Sequence, residues 1–232
     1  HVNLRAMVDA APTAAPSPAP PDILVLAAHP DLARSAVTRS FLAALHAAGL
    51  APRVQVHDLY RRYPDFHIDA EAERRALSQA QLLVMLHPLH WYGMPALQKL
   101  WCDEVLQLGW AYGPGGTALA GKDLWLVTST GGTAEAYSTG GHHGLPFEAF
   151  TLPYRQTART CGMRFLPVQV LHGAHRASQA EIDAQARRFV AQLAAYPDWC
   201  ADVEACPDDC QRAVGLDDRP AAFSALSIGG VA

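Results

Sequence analysis

Three short stretches of this chain gather side chains able to do chemistry. The first, HPLHWYGMP at 87–95, carries two histidines, a tryptophan and a tyrosine, where a chain reversal needs only Gly, Asn, Asp or Pro. Trp91 and Tyr92 offer faces to a flat heterocycle, and backbone N–H groups in such a loop can reach its polar edge. Both rings could equally pack into a core or a subunit interface. The second, AHPDLARSAVTR at 28–39, makes Ser35 a candidate N-cap, with Ala36, Val37 and Thr38 in the first helical turn. Unpaired N–H groups there, with the helix dipole, suit a phosphate, and the Ser35 and Thr38 hydroxyls add donors. No glycine lies between Pro21 and Leu45, so this is no glycine-rich phosphate loop, and an ordinary capped helix is the alternative. His29 fits either reading. The third, STGGTAEAYSTGGHHGL at 129–145, has two Gly-Gly pairs that let backbone pass close to a ligand, followed by Tyr137 and His143. Long loops are often functional; in a plain surface loop the Tyr and His are incidental.

These stretches need a scaffold that brings them together. Continuous apolar runs at Ile23–His29, Arg53–Leu59, Gln81–Leu86, Asp123–Thr130 and Arg164–Leu171 read as buried strands. Between them run helical patterns. One starts at Ser35 and stops at Gly49. Others span Asp69–Ala80, Pro95–Gly109 and Phe147–Cys161, the last bent or restarted at Pro153. A final one, Ser178–Tyr196, has Glu181 at capping-box spacing from Ser178. Strands alternating with helices predict a three-layer α/β sandwich around a five-stranded parallel sheet of order 2-1-3-4-5. In such sheets ligands bind beyond the carboxyl ends of the strands, where strands 1 and 3 diverge. All three stretches fall there.

Composition narrows the class. The 232 residues are half hydrophobic and 17% charged, with a net charge of −4, an ordinary globular balance that argues against a nucleic-acid binder. No apolar run reaches the roughly 18–20 residues that cross a bilayer. Residues 1–21, rich in Ala and Pro, read as a flexible leader in which Met7 is a candidate start. Residues 22–199 form the domain, and 200–232 an irregular tail. Five scattered cysteines, three of them in that tail (Cys200, Cys206, Cys210), point to a reducing, cytoplasmic setting. Their loose spacing does not make a metal site. Cys102 reads as a small buried apolar group.

The stretches quoted, together with LYRRYPDFHID and GWAYGPGGTALAGK, resemble the flavodoxin-like NAD(P)H:quinone oxidoreductases. Within them the likeness is to the ancillary oxidoreductase subunits of glutathione-gated potassium-efflux systems. It covers about Ile23 to Trp199. The resemblance implies FMN, with FAD as the alternative, bound by His29, Ser35, Ala36, Val37 and Thr38 at its phosphate and ribityl chain. It places Pro88, Leu89, His90 and Trp91 beside the isoalloxazine ring, and Ser129, Thr130, Gly131 and Gly132 along the other edge. It makes Tyr137 and His143 the catalytic pair and puts Tyr112 near the substrate pocket. His90 stands where a Gln is common in the family.

The implied chemistry is coherent. Hydride addition to a flavin builds negative charge along one ring edge, and donors placed in advance stabilise it. The Tyr137 hydroxyl and a protonated His143 can serve, and a histidine exchanges protons near neutrality; packing behind the site is the alternative for both. NAD(P)H and then a quinone or similar small acceptor would use the same ring face in turn, a ping-pong scheme. The resemblance further implies homodimers whose partner chain completes each pocket, with LQKLWCDEVLQLGWAY (97–112) as the aromatic surface to be buried. That surface could also be intramolecular core. Two other functions compete: a regulatory subunit of a potassium-efflux membrane protein, peripheral to the inner membrane face, or an α/β protein binding a phosphorylated ligand without flavin.

Overall fold

The computed structural model describes residues 22–204. The proposed leader, and the tail from 205 on with Cys206 and Cys210, lie outside the described residues. The strands are β1 (Ile23–Ala27), β2 (Val54–Asp58), β3 (Leu82–Pro88), β4 (Asp123–Ser129), β5 (Arg164–Phe165) and β6 (Gln169–Leu171). They form one wholly parallel sheet of order β2-β1-β3-β4-β5, with β6 also paired to β4. The helices are α1 (Ala36–Ala47), α2 (Leu59–Arg62), α3 (Ala70–Gln79), α4 (Ala96–Val105), α5 (Phe147–Thr160) and α6 (Gln179–Ala194).

Strands buried on both faces must be apolar throughout, and β1, β3 and β4 are buried at nearly every position. Alternate side chains then separate two cores. Leu83 and Met85 pack with Trp101, Cys102 and Tyr154 beneath α4 and α5. Leu82, Val84 and Trp125 pack with Phe41 and Phe189 beneath α1 and α6. Helix ends follow their caps. Ser35 Oγ accepts the Thr38 N–H at 3.0 Å. Ser178 and Glu181 close the anticipated capping box, the Ser178 N–H donating to Glu181 Oε2 at 2.7 Å.

Three expectations need correcting. The fifth strand is split in two, because Pro167 has no N–H for the ladder and its carbonyl accepts the Trp125 indole N–H at 3.0 Å. Pro153 does not restart its helix: α5 runs as one helix through it. The proline is solvent-exposed, so the carbonyl one turn back, which loses its partner, can be hydrated. Strand β3 runs two residues further than anticipated, so His87 and Pro88 belong to the sheet. Past Trp199 the chain stays packed: Cys200 is buried, and Arg164 donates to the Cys200 and Val203 carbonyls.

Candidate active site

Because every strand is parallel, the segments following β1, β3, β4 and β6 emerge on one edge. The three predicted loops therefore meet there, joined by a fourth, 172–177, that sequence reasoning missed.

The first loop offers donors. Ser35 Oγ is used as an acceptor by its cap bond, leaving its proton free to donate. The Ala36 and Val37 N–H groups lie in the first turn of α1, where a helix has no acceptors of its own. His29 Nδ1 accepts the Asp31 N–H at 3.1 Å, so the ring proton sits on Nε2. Burial and neighbouring His90 push the His29 pKa down, so the ring is a neutral donor.

The second loop turns sharply. His90 and Gly93 exchange two backbone hydrogen bonds, at 2.9 and 3.0 Å. Trp91 and Tyr92 between them both have positive φ, 47° and 66°, the signature of a type I′ turn, which favours Asn and Gly. Left-handed backbone at two bulky residues costs on the order of 1–3 kcal/mol each. Trp91 is 94% exposed. Tyr92 is the ring that packs inward, stacked on Phe150 at 5.3 Å and edge-on to His143 at 5.5 Å. His90 faces His29 across the cleft at 6.2 Å. Behind the turn, buried His87 donates from Nδ1 to the Pro88 carbonyl at 3.0 Å, and the Leu89 N–H ties to the Ser129 carbonyl at 2.8 Å. Burial lowers the His87 pKa to about 4, so it is uncharged.

The third loop carries Tyr137 and His143, whose ring centroids are 4.3 Å apart. They close over Gly132: a Cβ there would lie 3.1 Å from His143 Nε2 and 3.2 Å from Tyr137 Cε2. A Cβ on Gly131 would meet the His175 ring at 3.2 Å. Among the described residues, the N–H groups of Gly131 and Gly132 have no acceptor, and neither the Tyr137 hydroxyl nor the His143 ring has a hydrogen-bond partner. Burial, with Tyr92 nearby, raises the Tyr137 pKa, so its hydroxyl keeps its proton at neutral pH. Thr130 differs. Its N–H donates to the Leu171 carbonyl, its carbonyl accepts from Ala174, and its hydroxyl is engaged with Gly132 and His172.

Tyr112 lies elsewhere. Helix α4 starts at the carboxyl edge and runs back, so the 106–122 loop, with half-buried Tyr112, lies at the amino edge of the sheet. Of the aromatic α4 surface, Trp101 is buried core, and the Arg74 guanidinium covers Trp110 at 5.6 Å.

These donors are of the kind a phosphorylated planar ligand needs: a helix N-terminus, a close-packed glycine pair whose N–H groups have no acceptor among the described residues, and a protonated phenol. Among the described residues, no helix is long and apolar enough to cross a membrane, and no His, Cys, Asp or Glu cluster could hold a metal ion.

Comparison with known proteins shows the fold and the family. A family model described as a flavodoxin-like fold matches residues 21–193. The glutathione-regulated potassium-efflux system ancillary protein KefF of Salmonella newport is 41% identical over 174 residues, 75% of this chain and 96% of that protein. Among solved structures, general stress protein 14 of Treponema denticola, in complex with FMN, is 34% identical, with a TM-score of 0.71 over 75% of this chain and 99% of that one. An NADPH-quinone reductase from P. pentosaceus is 30% identical, with a TM-score of 0.64 over 79% and 99%. The chain belongs to the flavodoxin-like NAD(P)H:quinone oxidoreductase family, among relatives of the potassium-efflux ancillary proteins.

Proposed function

We propose that this chain binds FMN and uses NAD(P)H to reduce quinones or similar small acceptors. The observation that carries this is Gly132: Tyr137 and His143 close over it, and its N–H and that of Gly131 have no acceptor among the described residues. The likeness to an FMN-bound structure and to a quinone reductase supports the cofactor and the acceptor class, with FMN favoured over FAD.

FMN, when bound, supplies a ring that accepts two electrons as hydride and passes them on. The chain's residues do the rest. The Ala36 and Val37 N–H groups and the Ser35 hydroxyl would hold the phosphate, with His29 Nε2–H as a further donor and Thr38 bracing the turn. The backbone of Pro88, Leu89, His90 and Trp91 would line one side of the ring, the Trp91 indole itself being almost wholly exposed. The Gly131 and Gly132 N–H groups would donate to its polar edge, the part of the ring that needs donors placed in advance. Ser129 and Thr130 shape that edge from behind. The Tyr137 hydroxyl would donate a hydrogen bond there, and the His143 ring would lend that edge a proton and take the same proton back. Both substrates would use one face in turn, which would give ping-pong kinetics.

The active unit in this reading is a homodimer. Tyr112 is at the opposite edge from its own chain's site, so it can line a substrate pocket only across a subunit interface. The test of the whole reading is reconstitution. Purified protein should show a flavin spectrum with FMN, bleach with NAD(P)H and recover its colour with quinone; a protein that takes up neither FMN nor FAD sinks the proposal.

The 41% identity to an ancillary protein of a potassium-efflux system favours a second role: docking on such a membrane protein from the cytoplasmic side. Co-purification with that transporter tests it, and absence of association in cells that carry the transporter counts against it.

A further inference from the structure

The fourth loop holds the residue that organises the glycine pair. The Thr130 hydroxyl has one proton, and it goes to the Gly132 carbonyl at 2.8 Å. The hydroxyl oxygen lies 2.9 Å from His172 Nδ1. A hydroxyl whose proton is already committed can only accept, so His172 Nδ1 carries a hydrogen and donates it. Burial pushes the His172 pKa down, leaving a neutral ring in the Nδ1–H form. The backbone repeats the tie: the Gly173 N–H donates to the Gly132 carbonyl and the Ala174 N–H to the Thr130 carbonyl, both at 2.8 Å. The His172 ring also lies 5.5 Å from Tyr137 and meets Phe147 edge-on at 5.0 Å. One side chain thus touches the turn carrying the free N–H groups, the tyrosine above it, and the first residue of α5.

We infer that His172 is a positioning residue: through Thr130 it holds the Thr130–Gly132 turn so that the Gly131 and Gly132 N–H groups face the ligand. It touches no ligand itself. Fixing the Thr130 hydroxyl fixes the Gly132 carbonyl, and with the Thr130 and Gly132 carbonyls tied to the fourth loop, the Gly131 and Gly132 N–H groups keep their direction while staying open among the described residues. Donors held in place before the ligand arrives need no reorganisation. The inference deepens the flavin reading and rests on it for the ligand's identity, though not for the geometry.

Two substitutions separate donor from ring. His172→Phe keeps the ring and removes the donor. His172→Asn removes the ring but sets an amide N–H near the Nδ1 position. Amide hydrogen exchange of Gly173 and Ala174, read without flavin, should speed up about tenfold in His172→Phe and stay within about threefold of the parent in His172→Asn, a gap matching one net hydrogen bond. FMN affinity, titrated by flavin fluorescence, should fall about tenfold in the first variant and be retained in the second. Thr130→Val, which removes the shared hydroxyl, should reproduce His172→Phe even if that variant folds poorly. Unchanged exchange in both His172→Phe and Thr130→Val overturns the inference, as does equal loss in the Asn and Phe variants, or faster exchange with undiminished FMN affinity. If the parent itself binds no FMN while exchange responds as expected, the flavin reading fails and the positioning of the turn stands.

Discussion

Two clusters of this molecule use the same ingredients, tyrosine, histidine and further rings, to opposite ends. Around Glu73 on α3 every polar group is matched. The carboxylate is 0% exposed. Its Oε1 accepts from Tyr63 at 2.6 Å, with Arg62 Nε at 3.1 Å; its Oε2 accepts from His57 Nδ1 at 2.8 Å and Trp101 Nε1 at 2.9 Å. Four donors from β2, the segment after it, and α4 thus converge on one helix. At the carboxyl edge, by contrast, the Tyr137 hydroxyl, the His143 ring nitrogens and two glycine N–H groups have no hydrogen-bond partner among the described residues. A closed polar cluster fastens elements together, because each buried group removed leaves others unsatisfied. An open one stands ready for a ligand. Substitutions in the first should change stability and spare chemistry, and those in the second should do the reverse.

The largest effect is expected from Glu73→Ala, which strands the donors of His57, Tyr63 and Trp101. Urea unfolding should show a loss of about 3–5 kcal/mol, with the turnover of the remaining folded protein within about twofold of the parent. A stable variant would mean the knot is ornamental.

Next comes Tyr137→Phe, the mirror experiment. It keeps the ring contacts with His143 and Phe150 and removes only an unpaired hydroxyl. Hydride transfer should slow by about 10²-fold while the melting temperature holds. His143→Ala should likewise slow flavin reduction more than it weakens flavin binding; equal reduction rates in variant and parent remove His143 from the mechanism.

Acid should separate the clusters as well. Burial alone would raise the Glu73 pKa, but the bonds from His57, Tyr63 and Trp101 outweigh it, and the net shift is downward. A carboxylate depressed in the folded state contributes stability that is full above its unfolded value, about 4.3, and is lost as pH falls through the folded value. Urea midpoints should therefore drop from pH 5 downward, and less steeply in Glu73→Gln.

The smallest effect concerns Trp91. Its side chain is almost wholly exposed and its backbone left-handed. Asn tolerates that conformation better, so Trp91→Asn should raise monomer stability by about 0.5–1 kcal/mol. A destabilised variant would show that the indole has a contact, as a subunit interface would supply.

Much of this was legible in the residues. Strands buried on both faces have to be continuous apolar runs, and ILVLA (23–27) and LLVML (82–86) are. The Ser35 and Ser178 caps are local bonds spanning three residues, so they leave a local signature. The Gly131–Gly132 pair announces close approach. Other features were not legible because their partners are distant in sequence. His172 looks like any histidine after an edge strand; what distinguishes it is a threonine 42 positions away. Its only sequence signal is its place at the carboxyl end of the fifth strand. The split of that strand depends on the Trp125 indole reaching Pro167, also 42 positions away.

The sequence by itself determined the alternation of strands and helices, their caps, and the edge on which the loops emerge, since these follow from hydrophobic period and backbone chemistry within a few residues. Tertiary structure decided which rings met. It turned Tyr92 rather than Trp91 inward, buried Trp101 on Glu73, and left Tyr112 at the far edge from the site. Side-chain direction depends on what packs opposite, and what packs opposite comes from other parts of the chain.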